Sequence, residues 1–294
     1  CMTTLVRDKQ GRKMSKSLGN GIDPLEIVSE YGANALRFTL AFMYTSTQDI
    51  LINKDDFKLG SKFANKVWNA SRYILMNLEG RELAASPTLN DADRWIYGRL
   101  AASSRSVAEA IASYRFNDAS SAVYEYFWND FCDWYLEATK LSTRSEDAAE
   151  RDRAVTVLLD VLSESLALLH PFLPFVTEEI YGKLPGAKGR LIARAYPGRD
   201  AVGDADTAAA IDVRFGMLKE LVSLVRSLRS EFGIAPEKKL RVAVRLDRGC
   251  DDGGFLERNS GLVLLLANAE SVSFVEAKPE GALALAGRGF ECYV

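Results

Sequence analysis

The sequence predicts a mainly α protein: a bundle of long amphipathic helices, preceded by a basic loop and followed by a small α/β module. Three observations carry that expectation. Between Asp55 and Leu169, apolar residues recur mostly at three- and four-residue steps, the mark of helices that bury one face. The joins between these stretches are short, so neighbouring helices are expected to pack antiparallel. Further on, Leu240-Arg241-Val242-Ala243-Val244-Arg245-Leu246 alternates as a half-buried strand should.

Composition bounds the function. With 294 residues, 48% hydrophobic and 26% charged, the chain is ordinary globular material for one large or two to three ordinary domains. A formal charge of −3 and a pI near 5.5 argue against a protein held on nucleic acid by bulk charge, so any such contact must come from local patches. Cys1, Cys132, Cys250 and Cys292 lack metal-ligand spacing, and a single histidine leaves little for a zinc site, so no metal site is expected. Scattered thiols fit a reduced, cytoplasmic protein. Nothing resembles a signal peptide, and the longest apolar runs, such as Leu262 to Ala267, are too short for a bilayer, so no membrane partner is expected. Both ends read as strand pieces of something larger.

Taken in order, Leu5-Val6 form a short strand that runs into Gly11-Arg12-Lys13-Met14-Ser15-Lys16-Ser17-Leu18-Gly19-Asn20-Gly21. Glycines let this backbone fold around something bulky, and its lysines can reach phosphate oxygens. Asp23 then caps a helix with Pro24 at its first position, and Gly32 stops it. A second helix covers roughly Ala33 to Phe42. A long one follows from Asp55, with Phe57, Phe63, Ala64, Val67, Trp68, Ser71, Ile74, Leu75 and Leu78 mostly at three- and four-residue steps and Gly80 at its end. Arg81 to Asn90 is linker-like.

Asp91 to Tyr114 is the next helix, with Trp95, Ile96, Leu100, Val107 and Ile111 on one side. A turn over Arg115-Phe116-Asn117-Asp118 leads to a helix from Ala119 to about Leu141, carrying Val123, Phe127, Phe131, Trp134, Tyr135 and Ala138. Asp147 to Leu169 is another. His170-Pro171 breaks it, and a short helix, Thr177 to Leu184, follows. A lone histidine at a helix end before proline reads as a capping or core residue. Pro185 to Asp206 is a second linker, and Thr207 to Glu231 a long helix ended by Gly233. After the Leu240–Leu246 strand, Phe255 to Ala269 reads as a helix, and Val272–Val275 and Phe290–Val294 as strands. The implied divisions are 1–22, 23–90, 91–206 and 207–294.

The run Lys13-Met14-Ser15-Lys16-Ser17-Leu18-Gly19-Asn20-Gly21-Ile22-Asp23-Pro24-Leu25, then Tyr31-Gly32-Ala33-Asn34-Ala35-Leu36-Arg37-Phe38-Thr39-Leu40, resembles the class I aminoacyl-tRNA synthetases. It looks like the join between catalytic domain and helical bundle in the members for valine, isoleucine and leucine. Asn65-Lys66-Val67-Trp68-Asn69-Ala70-Ser71-Arg72-Tyr73, Phe131-Cys132-Asp133-Trp134-Tyr135-Leu136-Glu137-Ala138 and His170-Pro171-Phe172-Leu173-Pro174-Phe175 extend the likeness, whose wording is nearest the valine members. It implies an anticodon-binding helical bundle, with the lysine loop before it and the α/β module after.

In such enzymes the amino-acid carboxylate attacks the α-phosphate of ATP, used with Mg²⁺, and negative charge grows on the leaving phosphates. The resemblance implies Lys13 and Lys16, Lys16 first, as the ammonium groups that meet this charge in the transition state. Ser15 and Ser17 would hydrogen-bond phosphate oxygens or hold the loop's shape, and Met14 would anchor the loop in an apolar pocket. Proteins read unstacked anticodon bases by stacking on aromatic or guanidinium planes and by hydrogen bonds to base edges. Arg72 and the pair Arg94-Trp95 are the candidates for a valine-accepting tRNA. Trp95 lies on its helix's apolar stripe and equally suits core packing. Lys238, Lys239, Arg241, Arg245 and Arg248 on the last module are candidates for tRNA phosphates or simply for solubility.

The resemblance also implies that the nucleotide-binding fold and amino-acid pocket lie upstream of residue 1. ATP and valine would then be held there, no cofactor would bind this chain tightly, and the chain alone, a monomer, would not form adenylate. Other readings are an isoleucine or leucine enzyme, a stand-alone tRNA-binding module without ATP chemistry, and a structural helical protein.

Overall fold

The computed structural model describes residues 5–15, 17–44, 48–78, 81, 83–198, 205–247, 249–250 and 254–294. Strand β1 (Val6–Arg7) pairs in parallel with β2 (Ile50–Leu51), which the sequence reading did not identify. Between them lie α1 (Pro24–Tyr31) and α2 (Ala33–Met43). The Asp23 carboxylate accepts from Leu25 N and Pro24 fills the first turn, as its missing N–H allows. Gly32, at φ 94°, ends α1 and starts α2 in one residue, a conformation that only glycine adopts readily. Ile27, Ile50, Ile52 and Phe57 form a small core there, with Met14, Ile22, Tyr31, Leu36, Leu40 and Met43 against it.

A 3₁₀ turn, Lys54–Asp56, capped reciprocally by Asn53 and Asp56, leads into α3 (Phe57–Leu78). Gly60 lets α3 close on α2: a β-carbon there would lie 2.6 Å from the Ala35 carbonyl oxygen. The end expected at Gly80 lies outside the described residues. The bundle continues with α4 (Asp91–Ala112), α5 (Phe116–Glu125), α6 (Leu136–Thr143), α7 (Ala148–Leu169) and α8 (Pro174–Tyr181). Asn90 with Asp93 caps α4, and Asp147 caps α7.

Two expectations change here. The turn before α5 is tighter than predicted, because Tyr114 takes a left-handed conformation (φ 58°) and Arg115 N reaches back to Ala110 O at 2.8 Å, so the helix starts at Phe116. The single helix expected from Ala119 to Leu141 contains a π-helical stretch, Tyr126–Tyr135, between α5 and α6. Its buried residues come in groups, Tyr126–Phe127, Asp130–Phe131–Cys132 and Tyr135, the last continued by Leu136 of α6, four to five apart. That spacing suits i→i+5 turns better than α-helical ones, and it turns Asp130 inward along with the aromatic rings.

A long helix, α9 (Ala205–Glu231), packs on α4 and leads to the small module: β3 (Leu240–Leu246), α10 (Phe255–Arg258), α11 (Ser260–Ala267), β4 (Ala269–Phe274), β5 (Ala284–Gly287) and β6 (Phe290–Tyr293). The sheet order is β4-β3-β6-β5, with β3 parallel to β4 and antiparallel to β6. Helix Phe255–Ala269 is broken at Asn259, whose side chain bonds the Phe255 carbonyl and the Asp91 carboxylate, both at 2.9 Å. Strand β5 was not expected. Its small and glycine residues carry little strand signal, and Gly287 leaves the space that the Phe290 ring occupies. One hydrophobic core runs without interruption from Phe38 through the bundle to Cys292.

Candidate nucleotide-contacting loop and RNA-facing helices

Strand β1 delivers the chain into a short hairpin. Asp8 N donates to Arg12 O at 3.1 Å, Gly11 N donates to Asp8 O at 2.9 Å with Gly11 at φ 76°, and Lys13 bridges back to Arg7. The Asp8 carboxylate is buried and fully engaged. It accepts from Gln10 N (3.1 Å), Arg12 N (2.8 Å), Arg12 Nε (2.8 Å) and the Asn20 amide (2.9 Å). The Asn20 hydrogen bond and the backbone and guanidinium of Arg12 stabilise the ionised form, which holds its pKa down at about 2.

Asn20 ties the loop's two ends. Its amide also donates to Lys13 O at 3.3 Å, and its carbonyl accepts from Ser15 N at 2.9 Å. Within the loop, Ser15 Oγ lies 3.2 Å from Ser17 Oγ and accepts from Leu18 N at 3.3 Å. Met14 packs against the small core, while Lys13 and Ser17 are exposed. Lys16, the first-ranked lysine, lies outside the described residues. Neither Asp8 nor Asn20 was singled out in the sequence. The available signal was an acid and an amide flanking a glycine-bounded loop, a pattern that gains meaning only once the hairpin brings them together.

The bundle candidates separate. Arg72 is exposed on α3, on a face that also shows Trp68, Asn69 and Met76, with the Lys183 ammonium 5.0 Å from the Trp68 ring centre. Arg94 is half-exposed and 3.8 Å from Asp91, one turn earlier on α4. Trp95 corrects the stacking expectation. It is 1% exposed, its ring lies parallel to Phe215 at 4.0 Å, and its indole N–H donates to Asp212 at 3.0 Å. With Lys219 also 5.2 Å from the ring, no face is open to a base, and the core alternative holds.

Around it sits a charge cluster that sequence reasoning missed. Asp130 of the π stretch accepts from Arg99 of α4 (2.7 Å) and Lys219 of α9 (3.1 Å). The Lys219 ammonium and the Arg226 guanidinium each stand 5.4 Å from the Trp134 ring centre. On the last module, Arg241 faces Glu270 at 3.8 Å and Arg245 bonds Glu291 at 2.9 Å, and Arg248 lies outside the described residues. His170 bonds Thr177 Oγ1 at 2.9 Å, and burial lowers its pKa. That contact joins the end of α7 to α8, as a core residue would.

Residues 93–244, just over half of the chain, match the model of the anticodon-binding domain of tRNA ligase. The chain belongs to that family. Residues 1–53 match the model of class I tRNA synthetases for I, L, M and V. Among similar curated proteins, the valine–tRNA ligase of Treponema denticola is 49% identical over 99% of this chain and 33% of its own length. Those of Treponema pallidum and Thermotoga maritima are 46% and 42% identical over 99% of the chain, and 33% and 32% of their own lengths. The chain thus spans about a third of the length of these relatives. In shape it is similar to a LeuRS of Agrobacterium radiobacter K84 solved as a ternary complex with tRNA and LeuAMS, with a TM-score of 0.50 and 25% identity over 67% of this chain and 23% of that one. The family's anticodon-binding region in this chain runs from α4 through the bundle and α9 into β3.

No helix among the described residues is long and apolar enough to cross a membrane. No group of three or more His, Cys, Asp or Glu among them is placed to hold a metal ion.

Proposed function

We propose that this chain is the part of an ATP-dependent valine–tRNA ligase that closes on ATP with the Lys13–Ser17 loop and binds the anticodon arm of a valine-accepting tRNA with its helical bundle. The observation that carries this reading is the presence of both matched segments on one folded chain, with valine–tRNA ligases as the named relatives. Lys13 and Lys16 are assigned to the charge that develops on the leaving phosphates. Such stabilisation lowers the barrier because it is stronger in the transition state than in the ground state. Mg²⁺ would accompany ATP, and no residue of this chain is assigned as its ligand. ATP and valine would be bound chiefly outside this chain.

For tRNA, Arg72 is the leading contact: an exposed guanidinium beside a partly exposed tryptophan suits base stacking and phosphate contact alike. Arg94 is a secondary candidate, since its guanidinium is shared with Asp91. Leu5, Val6 and Leu51 at the β1–β2 pair and Leu25 and Val28 on α1 are exposed apolar residues, which another folded unit would cover.

Titration of the 294-residue chain with tRNA transcripts tests the binding part. A valine-accepting transcript should bind more tightly than an isoleucine-accepting one, and its affinity should fall with added salt. Equal affinity for both would overturn the valine assignment. Valine-dependent ATP–pyrophosphate exchange by the enzyme carrying this sequence tests the chemistry, and exchange driven by isoleucine or leucine instead would reassign it.

A further inference from the structure

Outside the Asp8–Asn20 contact, the described part of the lysine loop is held mainly by bonds within itself. Ser15 Oγ bonds Ser17 Oγ and Leu18 N, and Met14 reaches the small core, but Lys13, Ser17, Leu18 and Gly19 are exposed. What joins the returning limb to strand β1 is the Asn20 carboxamide. It uses both polar atoms at once, donating to Asp8 and to Lys13 O on the outgoing limb and accepting from Ser15 N inside the loop. Asp8 in turn is buried against the hairpin, with four donors on its two oxygens. A buried carboxylate so satisfied is a fixed acceptor, and a hydrogen bond to it is stronger than one between neutral groups.

We infer that Asn20 is a positioning residue for the lysine loop: clasped by Asp8, it sets where the Lys13 ammonium stands when it meets the nucleotide phosphates. This rests on the functional reading above. A carboxamide fits the role because it alone among small side chains offers a donor to the carboxylate and an acceptor to the Ser15 amide in one plane. Electrostatic stabilisation depends on groups held at the site of developing charge, and a misplacement of about 1 Å can cost on the order of 10²-fold in rate.

Two measurements on Asn20→Ala and Asn20→Asp test it. In the enzyme carrying this sequence, both variants should lower kcat for valine-dependent ATP–pyrophosphate exchange by about 10²-fold, with KM for valine within about threefold. In the 294-residue chain, Asn20→Ala should speed hydrogen exchange at the Ser15 amide while leaving the bundle helices protected. Unchanged kcat in Asn20→Ala or unchanged exchange at Ser15 would overturn the inference. A wild-type enzyme that shows no valine-dependent exchange would instead overturn the functional reading, and the Ser15 measurement would still decide whether the clasp holds the loop.

Discussion

The Asn20 amide nitrogen stands 2.9 Å from the Asp8 carboxylate across the whole of the lysine loop. The donors around Asp8 hold its pKa at about 2, below the ordinary aspartate value of about 3.9. A group with a depressed folded pKa contributes stability that is complete above its unfolded pKa and is lost as the pH falls through the folded one. The loop's anchorage should therefore be intact at pH 5 and above and weaken between about pH 4 and about pH 2. An NMR titration of the Asp8 carboxyl carbon should show its midpoint near the lower limit, and a midpoint near 4 would contradict the clasp.

Asp93 is the buried hub of α4. It accepts from the Tyr135 hydroxyl at 2.7 Å and from Asn90 N at 3.1 Å, and it pairs with Arg153, whose guanidinium also bonds Ser142 Oγ at 2.9 Å. Asp93→Ala leaves the buried Arg153 guanidinium with only the more distant Glu150 carboxylate, 4.0 Å away, as an ionic partner, which should destabilise the chain by about 3 kcal/mol in urea denaturation. Replacing both members, Asp93→Leu with Arg153→Met, should cost less than Asp93→Leu alone. A double variant as unstable as the sum of the single ones would show that the pair is not coupled.

Trp95 and Arg72 should separate stability from binding. Trp95→Ala removes a buried ring stacked on Phe215 and should cost about 3–5 kcal/mol. Arg72→Ala, at an exposed position, should change stability by less than about 0.5 kcal/mol. On the function proposed above, its loss should show instead in tRNA affinity, where removing one stacking or phosphate contact amounts to about 1–3 kcal/mol. Wild-type affinity in Arg72→Ala, measured with the valine-accepting transcript, would remove Arg72 from the interface.

Two helical glycines should respond oppositely to alanine. Alanine gains about 1 kcal/mol over glycine in a helix interior. At Gly98 in α4 a β-carbon meets nothing within 4 Å, so Gly98→Ala should stabilise by up to that amount. At Gly60 in α3 it would meet the Ala35 backbone at 2.6 and 2.8 Å and Thr39 Oγ1 at 2.8 Å. Overpacking against backbone costs about 1–3 kcal/mol or more, so Gly60→Ala should be destabilising despite the better propensity. Thermal melting of the two variants checks the opposite signs.

The amino-acid sequence by itself determined the helical bundle, because period and caps are local properties. Apolar residues at three- and four-residue steps marked α3, α4, α7 and α9, and Asp23-Pro24 and Asp147 marked two helix starts within a residue. The lysine loop and its likeness to the class I synthetases were legible for the same reason, since a contiguous motif needs no folding to be seen. What only the tertiary structure decided are the relations between distant residues. It widened Tyr126–Tyr135 into a π-helix so that Asp130 could meet Arg99 and Lys219, contributed by two other helices. It closed Trp95 under Phe215, 120 positions along the chain by the sequence numbering, and so took the indole out of reach of any base. It also added β2 and β5, strands too short or too poor in branched residues to show a period of two. At the lysine loop, sequence supplied the cations, while the fold of the hairpin supplied the Asp8–Asn20 contact, because burial of a carboxylate depends on neighbours that local sequence does not specify.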